Sequence, residues 1–417
     1  MKLDIYTGKA VYRGWPKGVD NRAPDHAVPE NALRDAVNVN IRTSGKIKSR
    51  SGLEQAIASP GAHSVFSDGA QMLWATATAL YRCGADLTPE LLLTDARLAD
   101  PISCVAVNGD IYWSNEAING RVTAAGVYEP WGIEVPTTAP AATGTTVGTF
   151  PRLYDVTCTF VTASGEESGA GPVVSVLCGD EPTIRLTGIP QSSDSRVVAT
   201  RVYVTNVDGK VYYRNTDVSA GQTAVTLSGF FANGAPLRTQ FNSPPPPGQL
   251  LAYLNGTIYI ASGSTVWYTE ALHYAVHDNV GNFFMHPERV TLLAAVPDGL
   301  YISSDQTYFY SNVGTEDVRR RAVLPYRAVE GAVTELPDTK DVMWFSDRGF
   351  VRGTLGGQVK NVTEDQLAVG KYGRGAMGFD ITDGHQSVIA LLSDPVEDAA
   401  QSPDYTAGEA SRAAEVL

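Results

Sequence analysis

Cysteine is scarce in this sequence of 417 residues. The four that occur, Cys83, Cys104, Cys158 and Cys178, stand far apart with no C-x-x-C pair. That spacing argues against a structural zinc site and against a disulfide framework, and it predicts buried free thiols. Long apolar runs are also missing. No stretch approaches the ~18 uninterrupted apolar residues of a membrane span, and the opening MKLDIYTGKAVYRG lacks the apolar core of a secretory leader. Synthesis in the cytoplasm without membrane insertion is therefore expected. Positive charge is short as well: 32 Lys and Arg face 45 Asp and Glu, for a net charge of −13 and a pI near 4.9. A chain that coats nucleic acid needs clustered cations to displace counterions, so the balance argues against that role. DNA can still pass an acidic surface without sticking to it.

What the chain has in quantity is glycine, proline and tyrosine (40, 24 and 19 residues), set among short alternating runs. This texture predicts an all-β protein with few helices. A hairpin-like unit recurs as VFSDGAQMLWATATALYRC from Val65, VAVNGDIYWSN from Val105, LAYLNGTIYIASGSTVWYTE from Leu251 and AVPDGLYISSDQTYFYS from Ala295. A weaker copy is VMWFSDRGFVRGTLGG from Val342. The first four place Asp-Gly or Asn-Gly before an apolar, aromatic strand. Those dipeptides suit a type I′ turn, whose two central residues both need positive φ. Gly69 and Gly109, and again Gly256 and Gly299, lie roughly 40 residues apart, the length of one propeller blade. The expected architecture is a β-propeller.

A different texture interrupts the repeats. It follows the low-complexity VPTTAPAATGTTVGTFP and ends at FNSPPPPGQ, whose four prolines at 244–247 predict a stiff extended spacer. Between them, LYDVTCTFVTASGEESGAGPVVSVL, SRVVATRVYVTNVDGKVYYRNTDV and TAVTLSG supply roughly seven short strands, which suit an inserted β-sandwich of the immunoglobulin or fibronectin III kind. The predicted organisation is an N-terminal segment with the first blades at 1–135, the sandwich at 150–240 and the remaining blades at 248–395. An acidic, Ala-rich tail at 396–417 is expected to fray or to form one short helix.

Few residues are arranged for chemistry. His273 and His277 have the H-x-x-x-H spacing of a helical metal pair, with His286 nearby. The zincin glutamate is missing, and Gly281 and Asn282 read as a loop, so polar loop histidines are expected. Glu166 and Glu167 are neighbours, which a strand would point to opposite faces; a solvated turn is expected rather than an acid and base pair. Propeller sialidases keep acids, arginines and tyrosines at the channel, and TYFYS and RRRAVLPYR supply such residues, but only part of an S-x-D-x-G-x-x-W box occurs, in SDRGF at Ser346. No G-x-S-x-G elbow, Walker loop or Rossmann fingerprint is present. The expectation is a protein that is not an enzyme and uses no cofactor or metal. Arg319, Arg320 and Arg321, with Arg327, form the densest positive patch, a candidate contact for DNA phosphate or a neighbouring subunit; a solvated loop is the plainer reading.

The segment PENALRDAVNVNIRTSGKIKSR, residues 29–50, changes period midway. Pro29 and Glu30 suit a helix start, and Glu30 and Arg34 form an i, i+4 pair. Val37, Val39 and Ile41 then alternate with Asn38, Asn40 and Arg42 as a half-buried strand. After the Thr43-Ser44-Gly45 turn, Lys46, Lys48 and Arg50 share one strand face opposite Ile47. Arg42, Lys46, Lys48 and Arg50 are thus candidates for contact with DNA or another subunit, with a solvated sheet face as the plainer reading.

Here the residues carry a resemblance. KGVDNRAPDHAVPENALRDAVNVNIRTSGKIKSRSGLE resembles the N-terminal signature of bacteriophage tail hub or nozzle proteins, including the packaged-DNA stabilisation proteins of short-tailed phages. The matching positions are Ala32, Leu33, Ala36 and Asn38, then Gly45, Arg50 and Gly52. FVTASGEES and RVYVT are similar to the sandwich module of such proteins, and GTIYIASGSTVWYTEAL to their blade strands. The resemblance implies a homohexameric ring in the virion tail, made in the host cytoplasm. Such a ring extends the DNA channel below the head-to-tail connector, retains packaged DNA and passes it on ejection. It also implies adaptor or portal proteins, tail fibre, spike or needle proteins and the passing phage DNA as partners. Two other readings are a receptor- or glycan-binding propeller at the tail tip and a glycosidase-type propeller. Terminal strands complete the last blade of many propellers, so Val37, Val39 and Ile41 are expected to be buried there.

Overall fold

The computed structural model describes residues 14–42, 44–50, 54–145, 150–229, 231, 234–382 and 385–393, together with the backbone of Lys2–Leu3, Ala10–Val11 and Ala413–Val416. Alternating runs become strands throughout. Among the described residues the only helical turns are short 3-10 turns at Asp25–Ala27, Ala96–Ala99 and Leu355–Gly357.

Six antiparallel sheets follow one another as the blades of a β-propeller. Blade I comprises His63–Ser67, Met72–Ala75, Ala79–Cys83 and Glu90–Thr94, and blade II Ser103–Val107, Asp110–Ser114, Asn119–Val122 and Tyr128–Glu129. Blade III comprises Leu250–Leu254, Thr257–Ser262, Thr265–Tyr268 and Phe283–Met285. Blade IV is built from Leu292–Val296, Gly299–Ser303, Thr307–Ser311 and Arg319–Leu324, and blade V from Ala328–Glu335, Val342–Ser346, Gly349–Gly353 and Val359–Asn361. Blade VI has three strands, Gly375–Thr382, His385–Leu392 and Ala413–Val416. From blade II onward the first strands of successive blades lie against one another, so they are innermost. Last strands such as Glu90–Thr94 and Arg319–Leu324 are the exposed outer edges.

Each pair of successive blades shares an apolar core. Leu73, Leu80, Ile111 and Trp113 join I to II, and Val107, Tyr112, Ile258 and Ile260 join II to III. Tyr259, Leu300 and Tyr310 join III to IV, Tyr301 and Trp344 join IV to V, and Phe345, Phe350 and Val388 join V to VI. Glycine permits close approach at these seams. A Cβ on Gly353 would lie 2.6 Å from the Trp344 ring and 2.8 Å from the Tyr301 ring. Hydroxyls at the sheet ends tie blades together: Ser303 Oγ of blade IV accepts from the Ala328 amide of blade V at 2.9 Å, and Ser103 Oγ of blade II from the Leu251 amide of blade III at 3.0 Å.

The turn expectation holds in two of four units. Asn108-Gly109 and Asn255-Gly256 have positive φ at both residues, as a type I′ turn requires. At Asp298-Gly299 the hairpin closes one residue earlier, since Val296 pairs with Gly299 and leaves Pro297 and Asp298 in the turn; proline's fixed negative φ excludes type I′ there. At Asp68-Gly69 the turn is longer, and the Asp68 carboxylate accepts from the Ala70 and Gln71 amides, each at 2.8 Å.

The interrupting segment is a seven-stranded sandwich, beginning at Ala141 inside the stretch expected to be linker. One sheet orders Ala141–Gly144, Thr183–Thr187 and Ala224–Ser228; the other orders Val174–Cys178, Arg152–Thr162, Val197–Thr205 and Tyr212–Ser219. Val156, Cys158, Ile184, Leu186, Val202 and Val204 fill the space between. The strand order departs from the expected immunoglobulin pattern. There the second and third strands lie in opposite sheets, whereas here they pair directly, Leu153 with Leu177 and Tyr154 with Val176. The four cysteines are free thiols, and burial raises the Cys158 thiol to about 12.

Three local expectations fail. Residues 29–36 turn instead of forming a helix, the Ala32 amide donating to Pro29 O at 2.9 Å. The strand Val39–Ile41 pairs with Ile47–Ser49 alone and completes no blade; Val37 is 77% exposed, while Val39 and Ile41 are half-buried. Asn38 at φ 55° kinks the chain before the strand and breaks the alternation that would have carried Val37 onto its face. In the C-terminal tail, Ala413–Val416 is a strand on His385–Leu392, so its backbone pairs where fraying or a helix was expected. The rest of that tail, 396–412 and 417, and Gly52 of the N-terminal signature lie outside the described residues.

Candidate functional site

The two basic groups read from the sequence occupy different places. Arg319, Arg320 and Arg321 begin the outermost strand of blade IV, exposed at the rim and far along the sheet from its innermost strand. Charged residues on such an edge oppose pairing with another sheet. Arg320 stacks over the Tyr308 ring at 5.0 Å, and Arg321 Nη2 donates to Gly356 O at 2.8 Å and Gly357 O at 3.2 Å. Two of the three are thus fitted into the surface of their own chain. Arg42, Lys46, Lys48 and Arg50 belong to the N-terminal hairpin Val39–Ile41 and Ile47–Ser49. Arg50 Nε donates to Asn40 Oδ1 at 3.1 Å, and Lys46, Ile47 and Lys48 are exposed.

That hairpin is carried by a strap. The Trp15 amide donates to Gly45 O at 2.8 Å, and a parallel bridge joins Val19 to Leu33, the Leu33 amide donating to Gly18 O at 2.8 Å and the Asp20 amide to Leu33 O at 2.7 Å. The strap is fastened to the loop between blades V and VI: the Asn21 amide donates to Gln366 O at 3.1 Å, Asn21 Oδ1 accepts from the Ala368 amide at 2.7 Å, and Arg22 donates to Glu364 O.

The histidines do not form a cluster. His273 is exposed, while His277 is buried on the short strand His277–Asp278, its Nδ1 3.1 Å from Ser243 O. His286 is buried between Tyr308 and Tyr310, its Nε2 3.3 Å from Tyr310 Oη. Burial, reinforced by the Arg320 charge, lowers its pKa to about 4, so the ring is neutral at pH 7. No group of three metal-ligating side chains occurs among the described residues.

Two charge networks went unread in the sequence. One lies where the innermost strands begin, at one mouth of the propeller axis. Arg289, before blade IV, donates to both Glu330 oxygens, at 2.7 and 3.0 Å, and also to Glu116 in a turn of blade II. Arg374, entering blade VI, lies 3.4 Å from Glu330 and 3.7 Å from Asp100. Glu330 outweighs burial and holds the Arg289 guanidinium above its ordinary value. The five residues come from five separate segments, so no spacing in the sequence marks the set.

The second network joins sandwich to propeller. Arg121 of blade II pairs with Glu129 at 2.5 Å and with Glu166 of the sandwich at 2.9 Å; Arg196 of the sandwich donates to Gly132 O at 2.7 Å and Pro130 O at 3.1 Å. Burial alone would lower the Arg121 pKa, but Glu129 and Glu166 outweigh it and raise it. Glu167 turns the other way, accepting from Thr159 at 2.7 Å, Tyr203 at 2.6 Å and Arg201 at 2.9 Å. The two glutamates do point apart, but they anchor ion pairs and are not in a solvated turn. The prolines at 244–247 are likewise packed rather than a free spacer: Pro245 is buried and its carbonyl accepts from Asn119 at 2.8 Å. With Trp131, Glu134 and Asp194 they line a cleft of about 740 Å³ between blade II and the sandwich.

No known protein family matches the chain, and no curated protein does. Among solved structures it is similar to virginiamycin B lyase from Staphylococcus aureus, at 10% identity and a TM-score of 0.32, over 80% of this chain and 92% of that one. It is also similar to BBS1N, solved in complex with ARL6DN, at 9% identity and a TM-score of 0.31 over 80% and 88%. A third is AztD from Citrobacter koseri, at 12% identity and a TM-score of 0.31 over 84% and 85%. Likeness of this degree says nothing of activity or partners.

Proposed function

We propose that the chain is a non-enzymatic structural virion protein: a subunit of a ring in a phage tail nozzle or head-to-tail connector, which extends the DNA channel, retains packaged DNA and passes it on ejection. The observation that supports this reading is the N-terminal strap. The residues that carry the phage resemblance are a fitted part of the fold, locked at Asn21 and Arg22 to the loop between the last two blades. They leave a basic hairpin at the surface for contact outside the chain. The axial mouth is compatible with a conduit, because Arg289 and Arg374 are already paired with carboxylates, and a polyanion moves past paired cations more readily than past a cluster of unpaired ones. Head-to-tail adaptor or portal proteins and tail fibre proteins are the partners this role implies.

Negative-stain microscopy and native mass measurement of the purified chain test the reading. Discrete rings of uniform subunit number, with no hydrolysis of host-surface oligosaccharides, are expected. A monomer at all concentrations that binds or cleaves such oligosaccharides would overturn it.

A further inference from the structure

Resting on the ring reading, we propose that the cleft between blade II and the sandwich is the socket of a head-to-tail subunit contact, and that the basic hairpin of a second copy occupies it. Three observations converge. The first is chemistry. The cleft carries the carboxylate of Glu134 and apolar walls from Trp131 and the prolines at 244–247, while its second carboxylate, Asp194, is already paired with Arg196. Glu134 is exposed within it. The hairpin offers the complement: Lys46 and Lys48 flank Ile47, which is 39% exposed, and Val37 beside the strand is 77% exposed. A mixed basic and apolar edge thus faces a mixed acidic and apolar slot, in a chain whose net charge of −13 would otherwise make copies repel.

The second observation is size. A cleft of about 740 Å³ lies within the ~300–1,000 Å³ range of sites that enclose a ligand, enough for the side chains of a hairpin edge. The third is placement. The strap that carries the hairpin is fastened between blades V and VI, whereas the cleft opens beside blade II and the linker entering blade III. Along the series of blades these positions are three seams apart. Plug and socket on different surfaces of the chain give a heterologous contact, in which each subunit uses both, and such contacts close into rings when the rotation between copies permits. Arg196 holds Asp194 from within the sandwich at 2.7 Å and donates to Gly132 O, so the socket wall is preformed.

Charge exchange tests the contact. Glu134→Lys, and separately Lys46→Glu with Lys48→Glu, are expected to weaken self-association about tenfold or more, since like charges across an interface cost several kcal/mol. Both surfaces are exposed, and circular dichroism would check that folding is intact. Combining all three substitutions in one chain restores the attraction and is expected to restore the oligomer. A zero-length carbodiimide crosslink between Lys46 and Glu134 is expected between isotopically light and heavy copies. Assembly that persists unchanged in both single-surface variants, or a crosslink confined to one copy, overturns the socket while leaving the ring reading standing. A wild-type chain that stays monomeric at low salt and high concentration overturns both.

Discussion

The propeller and the sandwich bury antiparallel sheets in different ways, and the difference shows where this chain keeps its order. In the propeller every inner sheet is covered on both faces by its neighbours, so the cores form a series: I with II, II with III, and on to VI. Each core needs only the next hairpin repeat. The sandwich has one core, closed by strands that are distant in sequence, such as Ala141–Gly144 against Thr183–Thr187. A serial structure tolerates local damage and spreads it along the series, whereas a single core fails as a unit. The two are coupled by the half-buried cations Arg121 and Arg196.

Breaking a propeller seam has the largest expected effect. Trp344→Ala removes a fully buried ring at the IV–V core, for about 3–5 kcal/mol; calorimetry should show the propeller transition falling while the sandwich transition holds. Ile184→Ala in the sandwich core is expected to cost about 2–4 kcal/mol and to move only the other transition. If both transitions move together in either variant, the two units do not unfold separately. Arg121→Ala tests the coupling itself. It leaves Glu129 and Glu166 without their shared cation, for about 1–3 kcal/mol, and should separate two transitions that otherwise overlap; a double-mutant cycle with Glu166→Ala isolates the term that crosses the junction.

Acid should separate the units most gently. His286 in the III–IV seam stays neutral down to about 4, while an unfolded histidine takes its proton near 6.5. The unfolded chain therefore binds the extra proton in that window, and propeller stability, full above 6.5, is lost as the pH falls through it. Side-chain bonds from Arg196 and Arg201 hold Asp194 and Asp217 of the sandwich below the ordinary 3.8. Their contribution is present above that value and is lost only as the pH drops below it. Lowering the pH from 7 to 6 should thus lower the propeller midpoint by about 2 °C and spare the sandwich, and His286→Gln should reduce the difference, leaving the part that buried His277, also held below its ordinary value by burial, supplies.

The fold was largely legible before the structure because its signals are local. Alternation, Asn-Gly turns and a spacing of roughly 40 residues are set within a few neighbours, and blades are assembled from such neighbours. Where a local signal failed, a nearer constraint won. Pro297 displaced the turn at Asp298-Gly299, and Asn38 in the left-handed region detached Val37 from its strand. The candidate surfaces were legible only in part. Lys46, Lys48 and the Arg319–Leu324 strand stand out as charge in one dimension, but their standing as hairpin edge and outer rim comes from strand order.

The sequence by itself determined the class of structure, the blade repeat and the free cysteines, since these follow from composition and short-range period. Only the tertiary structure decided which strands share a sheet in the sandwich, that residues 29–36 turn instead of coiling into a helix, and that Arg289 meets Glu116 and Glu330 while Arg121 meets Glu166. The reason is physical. A side chain's period is a property of its own segment, but a charge finds its partner across segments far apart in the chain, and that distance is set by how the sheets close.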